Sequence, residues 1–150
     1  MIYIKRIAFY IAASIMVFSV AGCAVNPVTG ESELAFVSES QEIELGKKNY
    51  LPMRQMQGGD YEVDEGLTEY VNEVGQRLAK VSDRKLPYEF VVLNSSVPNA
   101  WALPGGKIAF NRGLLVELKT EAELAAVIGH EIVHAAARHG AKGMERGILL

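Results

Sequence analysis

Apolar positions recur at spacings of three and four along much of the chain, most clearly between about Asp64 and Ser82. There Leu67, Tyr70, Val71, Val74, Leu78 and Val81 share one side of a helical projection, with Glu69, Asn72, Glu73, Gln76, Arg77 and Lys80 on the rest. This predicts an amphipathic helix with one face on a core. An earlier helix is expected from Ser38, where Ser38 and Gln41 form a capping box, with Ile43, Leu45, Tyr50 and Leu51 as its apolar positions until Pro52 disturbs the run. Gln57-Gly-Gly-Asp60 reads as a break.

After Leu86-Pro87 the period changes. Tyr88 to Leu93 is rich in aromatic and β-branched residues and reads as a strand, and Gly106 to Phe110 as a second. Between them lies Asn99-Ala-Trp-Ala-Leu-Pro-Gly-Gly106, in which Pro104 and Gly105 suit the second and third positions of a type II turn. A small antiparallel sheet or hairpin is therefore predicted. Arg112 to Leu118 is expected to be a short helix. Thr120 and Glu123 then form a second capping box, opening a proline-free helix on which Leu124, Val127 and Ile128 make the apolar stripe. The fold class is α+β, mostly helical, in one domain of 38–150. No repeat or low-complexity tract supports a second domain.

The N-terminus departs from this periodicity. Lys5 and Arg6 precede an apolar or small-residue run from Ile7 to Val20, closed by Ala21-Gly22-Cys23. The run is short for a membrane span and has the form of a secretory signal. The single cysteine follows it directly, which resembles a bacterial lipoprotein processing site. That resemblance implies removal of 1–22 as a signal peptide, lipidation of Cys23 and a membrane anchor, with 23–37 as lipidated N-terminus and turn-rich tether. Ala24 at the second mature position, rather than Asp, points to the outer membrane. An uncleaved anchor with an incidental cysteine is the alternative. Loss of 1–22 takes away Lys5 and Arg6 and moves the net charge from −3 to −5. No basic patch invites nucleic acid.

The chemistry lies in the helix opened by Thr120, which contains His130-Glu131-Ile-Val-His134. Residues four apart on a helix differ by about 400° of rotation, so both imidazoles leave one face a turn apart and can share one Zn2+ ion. Glu131, about 100° to the side of His130, can act as a base toward a water on that metal without ligating it. The competing reading is a structural histidine pair on an alanine-rich helix. A third histidine ligand of the H-E-x-x-H-x-x-G-x-x-H kind would need Gly at 137 and His at 140, where Ala137 and Gly140 stand. His139 is expected to point away from the pair if the helix continues, and Glu145 on such a continuation cannot fold back to the metal.

An exposed strand edge near such a helix can pair with an extended peptide. Asn99 to Leu103 and Lys107 to Asn111 are the candidate edges, with Asn99, Trp101, Lys107 and Ile108 as candidate substrate-binding residues. Trp101 fits a core position better, and Asn99 also suits a turn.

Asn26 to Met144 resembles the N-terminal part of metallopeptidase family forty-eight, which contains the heat-shock membrane protease and the CAAX prenyl protease. The matching stretches are N-P-V-T-G at 26–30, N-A-W-A-L-P-G-G at 99–106, R-G-L-L at 112–115 and E-L-A-A-V-I-G-H-E-I-V-H-A-A-A-R-H at 123–139. The bacterial periplasmic branch, which includes lipoproteins, is the most similar. The resemblance implies a zincin-like fold, zinc on His130 and His134, Glu131 as catalytic base, and endoproteolysis of misfolded or misassembled envelope proteins. It implies a third zinc ligand on a later helix, a glutamate in an E-x-E-A-D setting. The chain ends at Leu150 before such a helix, so a truncated domain with little turnover of its own is expected. The other functional class left open is a non-catalytic lipoprotein chaperone or assembly factor. Oligomeric state is not fixed by these features.

Overall fold

A computed structural model describes residues 22–35 and 37–148 of the chain. All of the signal segment read over 1–22 except Gly22, together with the side chain of Cys23, lies outside the described residues. Two short strands, β1 (Gly22–Val25) and β2 (Ser32–Ala35), form an antiparallel pair. Part of the stretch read as a tether is thus folded, and its turn is closed by Asn26, whose Oδ1 accepts from Val28 N at 2.9 Å and Thr29 N at 3.2 Å.

Both capping boxes form. Ser38 caps α1 (Glu39–Met56), with reciprocal bonds to and from Gln41. Thr120 does the same for the helix that carries the two histidines, with Glu123 as its partner. Each box satisfies amide donors that the first turn of a helix leaves open.

Two expectations for α1 are corrected. The helix continues through Pro52 to Met56; the position is exposed, so water can serve the Lys48 carbonyl that loses its amide partner. Its buried face is Glu42, Gly46 and Tyr50, spaced by four, while Leu51 is exposed. A carboxylate lies where the apolar stripe was expected, and the reason is electrostatic: Glu42 accepts from Arg84 at 3.0 Å and from the Arg138 side chain.

Helix α2 (Glu65–Ala79) buries Val71 and Val74, as its periodicity predicts, together with Gly75 and Ala79, and packs on strand β3 (Glu89–Leu93), whereas Tyr70 and Val81 of the expected stripe are exposed, Val81 lying past the end of the helix. The sheet differs from the predicted antiparallel arrangement. Its order is β3-β5-β4, with β4 (Ala100–Leu103) antiparallel to β5 (Lys107–Asn111) and β3 parallel to β5. The Pro104-Gly105-Gly106 loop makes the β4–β5 hairpin, and Gly105 takes φ +75°, the left-handed value the third position of the turn requires. The loop seats against α1 at Gly46, where a Cβ would lie 1.9 Å from the Pro104 carbonyl oxygen.

A short helix, α3 (Arg112–Leu115), leads to α4 (Glu121–Ala136), and α5 (His139–Ile148) follows after a break. Helix α4 lies against both α2 and β4. Phe90, Val92, Ile108 and Phe110 of the sheet meet Val71 and Val74 of α2 and Leu124, Ile128 and Ile132 of α4 in one core. The helix with the two histidines is therefore held on its apolar face by the sheet, with β4 as its neighbouring edge.

Candidate metal centre

The two histidines converge as helical rotation predicts. His130 Nε2 and His134 Nε2 lie 2.9 Å apart, with ring centroids separated by 4.5 Å. His130 is exposed and His134 half-buried. Two imidazole nitrogens brought this close from successive turns fit a shared metal ion, since each can present a lone pair to it. Among the described residues, no group of three or more His, Cys, Asp or Glu side chains is arranged to hold a metal.

Glu131 turns inward and is 8% exposed. Burial, which disfavours the charged form, holds its carboxyl above the usual glutamate value, and the nearby imidazoles of His134 and His130 pull it part of the way back. A carboxylate raised toward neutrality is better matched to accepting and returning a proton than an ordinary surface glutamate.

His139 does not point away from the pair. Its expected position assumed one continuous helix, but α4 ends at Ala136, and Arg138 takes φ +63° before α5 begins. The reversal sets His139 Nδ1 2.6 Å from His134 Nδ1. The only positive-φ non-glycine residue among those described thus stands next to the third histidine. A non-glycine left-handed residue leaves little local mark in a sequence, so spacing alone missed this neighbour.

Two of the four candidate substrate-binding residues, Lys107 and Ile108, lie on a buried strand rather than at an open edge. Strand β5 is central and wholly buried, so Lys107 to Asn111 is not an edge: Ile108 is in the core, and Lys107 is 3% exposed with its ammonium on Glu89 of β3. The open edge is β4. Asn111 N donates to Asn99 O at 2.9 Å, which by antiparallel alternation turns the polar backbone groups of Trp101 and Leu103 toward β5 and those of Ala100 and Ala102 outward. Asn99 is exposed at the start of that edge. Trp101 is half-buried and packs edge-on to Tyr50, with ring centroids 6.0 Å apart.

The end of α4 is tied to distant parts of the chain. Asn26 is buried and its Nδ2 donates to the Ala137 carbonyl at 3.4 Å. Arg138 donates to Glu42 and to the Val37 carbonyl.

The family model for peptidase family M48 matches residues 65–150. Over 121 residues the chain is 34% identical to the beta-barrel assembly-enhancing protease of Escherichia coli (strain K12), covering 79% of this chain and 24% of that one. It is 41% identical over 83 residues to the putative beta-barrel assembly-enhancing protease of Vibrio cholerae, covering 55% and 17%. It is also 46% identical over 63 residues to the mitochondrial metalloendopeptidase OMA1 of Arabidopsis thaliana, covering 42% and 13%. The matched stretches span a quarter or less of the length of these relatives.

Proposed function

The chain belongs to peptidase family M48, and from that membership we propose that it forms the histidine-bearing part of a zinc-dependent endopeptidase of the bacterial envelope. The observation that carries the reading is the pair of Nε2 atoms 2.9 Å apart on one face of α4, next to the inward carboxyl of Glu131. His130 and His134 would hold the ion through those atoms. When bound, zinc supplies Lewis-acid polarisation of a peptide carbonyl and makes water acidic enough to be a nucleophile near neutral pH. The Glu131 carboxylate accepts the proton of the attacking water and delivers it to the departing amine nitrogen.

Substrate enters in extended form along β4, where the outward backbone groups of Ala100 and Ala102 offer hydrogen bonds that do not depend on side-chain identity. Such binding suits unfolded or misassembled chains. The beta-barrel assembly-enhancing proteases to which this chain is similar support envelope proteins in assembly as the substrate class. The signal-like N-terminus with Cys23 supports a lipid anchor in the outer membrane, facing the periplasm. The third zinc ligand is proposed to be a glutamate supplied from outside residues 1–150.

The test compares zinc content and casein cleavage in the full-length protein and its Glu131→Gln variant. Retained zinc with cleavage lost supports the reading. Undiminished cleavage by the variant would overturn the role of Glu131, and a wild type free of zinc would overturn the metal.

A further inference from the structure

We propose that His139 is a positioning residue for His134, holding its ring through Nδ1, and that the Arg138–Glu42 ion pair fixes the backbone reversal that puts His139 there. The inference rests on the metallopeptidase reading and deepens it, since it names the group that orients one of the two metal-binding imidazoles.

On an unbroken helix, His139 would stand about 140° around from His134 and out of its reach. It is brought back because α4 stops at Ala136 and Arg138 adopts φ +63°. An arginine does not favour that conformation, so something else must hold it. The structure supplies two restraints. Arg138 donates through its guanidinium to Glu42, which is 1% exposed on α1, and to the Val37 carbonyl. Asn26 donates to the carbonyl of Ala137, one residue before the reversal. Arg84, on the other side of Glu42, donates to it at 3.0 Å and keeps that carboxylate in place.

The consequence is a defined tautomer. A neutral imidazole with its lone pair on Nε2 carries its hydrogen on Nδ1. With its Nε2 lone pair kept for an ion shared with His130, His134 would carry its hydrogen on Nδ1 and donate it to His139 Nδ1, which lies 2.6 Å away. His139 then accepts at Nδ1 and carries its own hydrogen on Nε2. The rings of His134 and His139 stand edge to face at 4.7 Å between centroids, which fixes the plane of His134 as well as its tautomer. A histidine ligand whose remote nitrogen is engaged in this way is oriented before the metal arrives.

The experiment measures zinc affinity of the full-length protein by competition with a chromophoric chelator, and the tautomer of His134 by ¹⁵N NMR of the metal-free protein. His139→Ala should weaken zinc binding by roughly 10- to 100-fold and abolish the Nδ1–H preference of His134. The thermal midpoint of the metal-free protein should stay unchanged, because His139 is exposed. His139→Gln, which offers an acceptor oxygen, should restore most of the affinity. Glu42→Gln should lower affinity in the same direction with no contact to either metal-binding ring. Zinc affinity within about twofold of wild type in His139→Ala, or an unchanged His134 tautomer, would overturn the proposal. The NMR arm needs no metal, so it decides the positioning role even if wild type holds no zinc, an outcome that counts against the metallopeptidase reading alone.

Discussion

The guanidinium of Arg138 reaches the carboxylate of Glu42 across ninety-six positions of sequence, tying the end of the histidine-bearing helix to the buried face of α1. Glu42 also receives Arg84 at 3.0 Å, and the three side chains are 1%, 12% and 8% exposed in the order Glu42, Arg138, Arg84. Burial alone would pull the Arg84 pKa down, but its hydrogen bonds to Glu39 and Glu42 more than offset this and it is raised. Replacing Glu42 with Gln leaves two poorly hydrated guanidiniums facing a neutral amide. Breaking a buried pair from one side costs about 3–5 kcal/mol, so Glu42→Gln should lower unfolding free energy by roughly 3 kcal/mol. Urea denaturation of the full-length protein measures it, and a loss under about 1 kcal/mol would show that the two arginines find other partners.

Close approach at two glycines gives an ordered pair of outcomes. A Cβ on Gly46 would sit 1.9 Å from the Pro104 carbonyl oxygen, and one on Gly75 would sit 2.5 Å from the Phe90 ring. Phe90 is a side chain in the core and can shift by a rotamer adjustment, whereas the Pro104 oxygen belongs to the backbone of a tight turn. Overpacking of this kind costs about 1–3 kcal/mol, occasionally more. Gly75→Ala should fall in that range and Gly46→Ala should exceed it. Equal midpoints for the two variants in thermal denaturation would contradict the ranking.

What could be read beforehand was what depends on neighbours in sequence. The boxes at Ser38–Gln41 and Thr120–Glu123 close over three residues, and the convergence of His130 with His134 follows from helical rotation, so each was legible. The parallel pairing of β3 with β5 was not. A strand inserted between them in sequence but outside them in space changes the sheet from antiparallel to mixed, and no local pattern encodes which strand takes the centre. Lys107 belongs to a stretch expected as a possible edge, yet Glu89, directly opposite in the register of the neighbouring strand, pairs with its buried ammonium. The placement of His139 was hidden for a related reason: the force that bends the chain at Arg138 comes from Glu42, which composition marks only as a surface acid.

Trp101 offers a separation of packing from substrate contact. Its Nε1 is buried with no hydrogen-bond partner among the described residues, while its ring packs on Tyr50. Trp101→Phe removes an unpaired polar group and keeps an aromatic body, so the loss of apolar contact and the relief of the stranded N–H oppose each other. A stability change within about 1 kcal/mol is expected. With casein as substrate, turnover should be little altered. A large rise in KM at unchanged stability would instead make the indole a substrate contact.

A pH-dependent contribution is expected at the α2–α4 surface. Tyr70 Oη donates to Glu121 Oε2 at 2.7 Å and Arg77 donates to Oε1 at 2.8 Å. These bonds, the tyrosine's first and the arginine's second, hold the Glu121 carboxyl below its ordinary value of 4.5. Because the folded pKa is depressed, the folded chain binds fewer protons than the unfolded chain near that pH. The contribution is therefore present above the unfolded value and disappears as pH falls through the folded one. All three side chains are exposed, so the effect is small and weakened by salt. Glu121→Gln should lower the urea midpoint slightly at neutral pH, and the difference from wild type should shrink as pH falls through the depressed folded pKa of Glu121, below which both side chains are uncharged. Tyr70→Phe should show part of the same convergence. A Glu121→Gln deficit that persists undiminished at the acid end would mean that the ionised carboxylate is not its source.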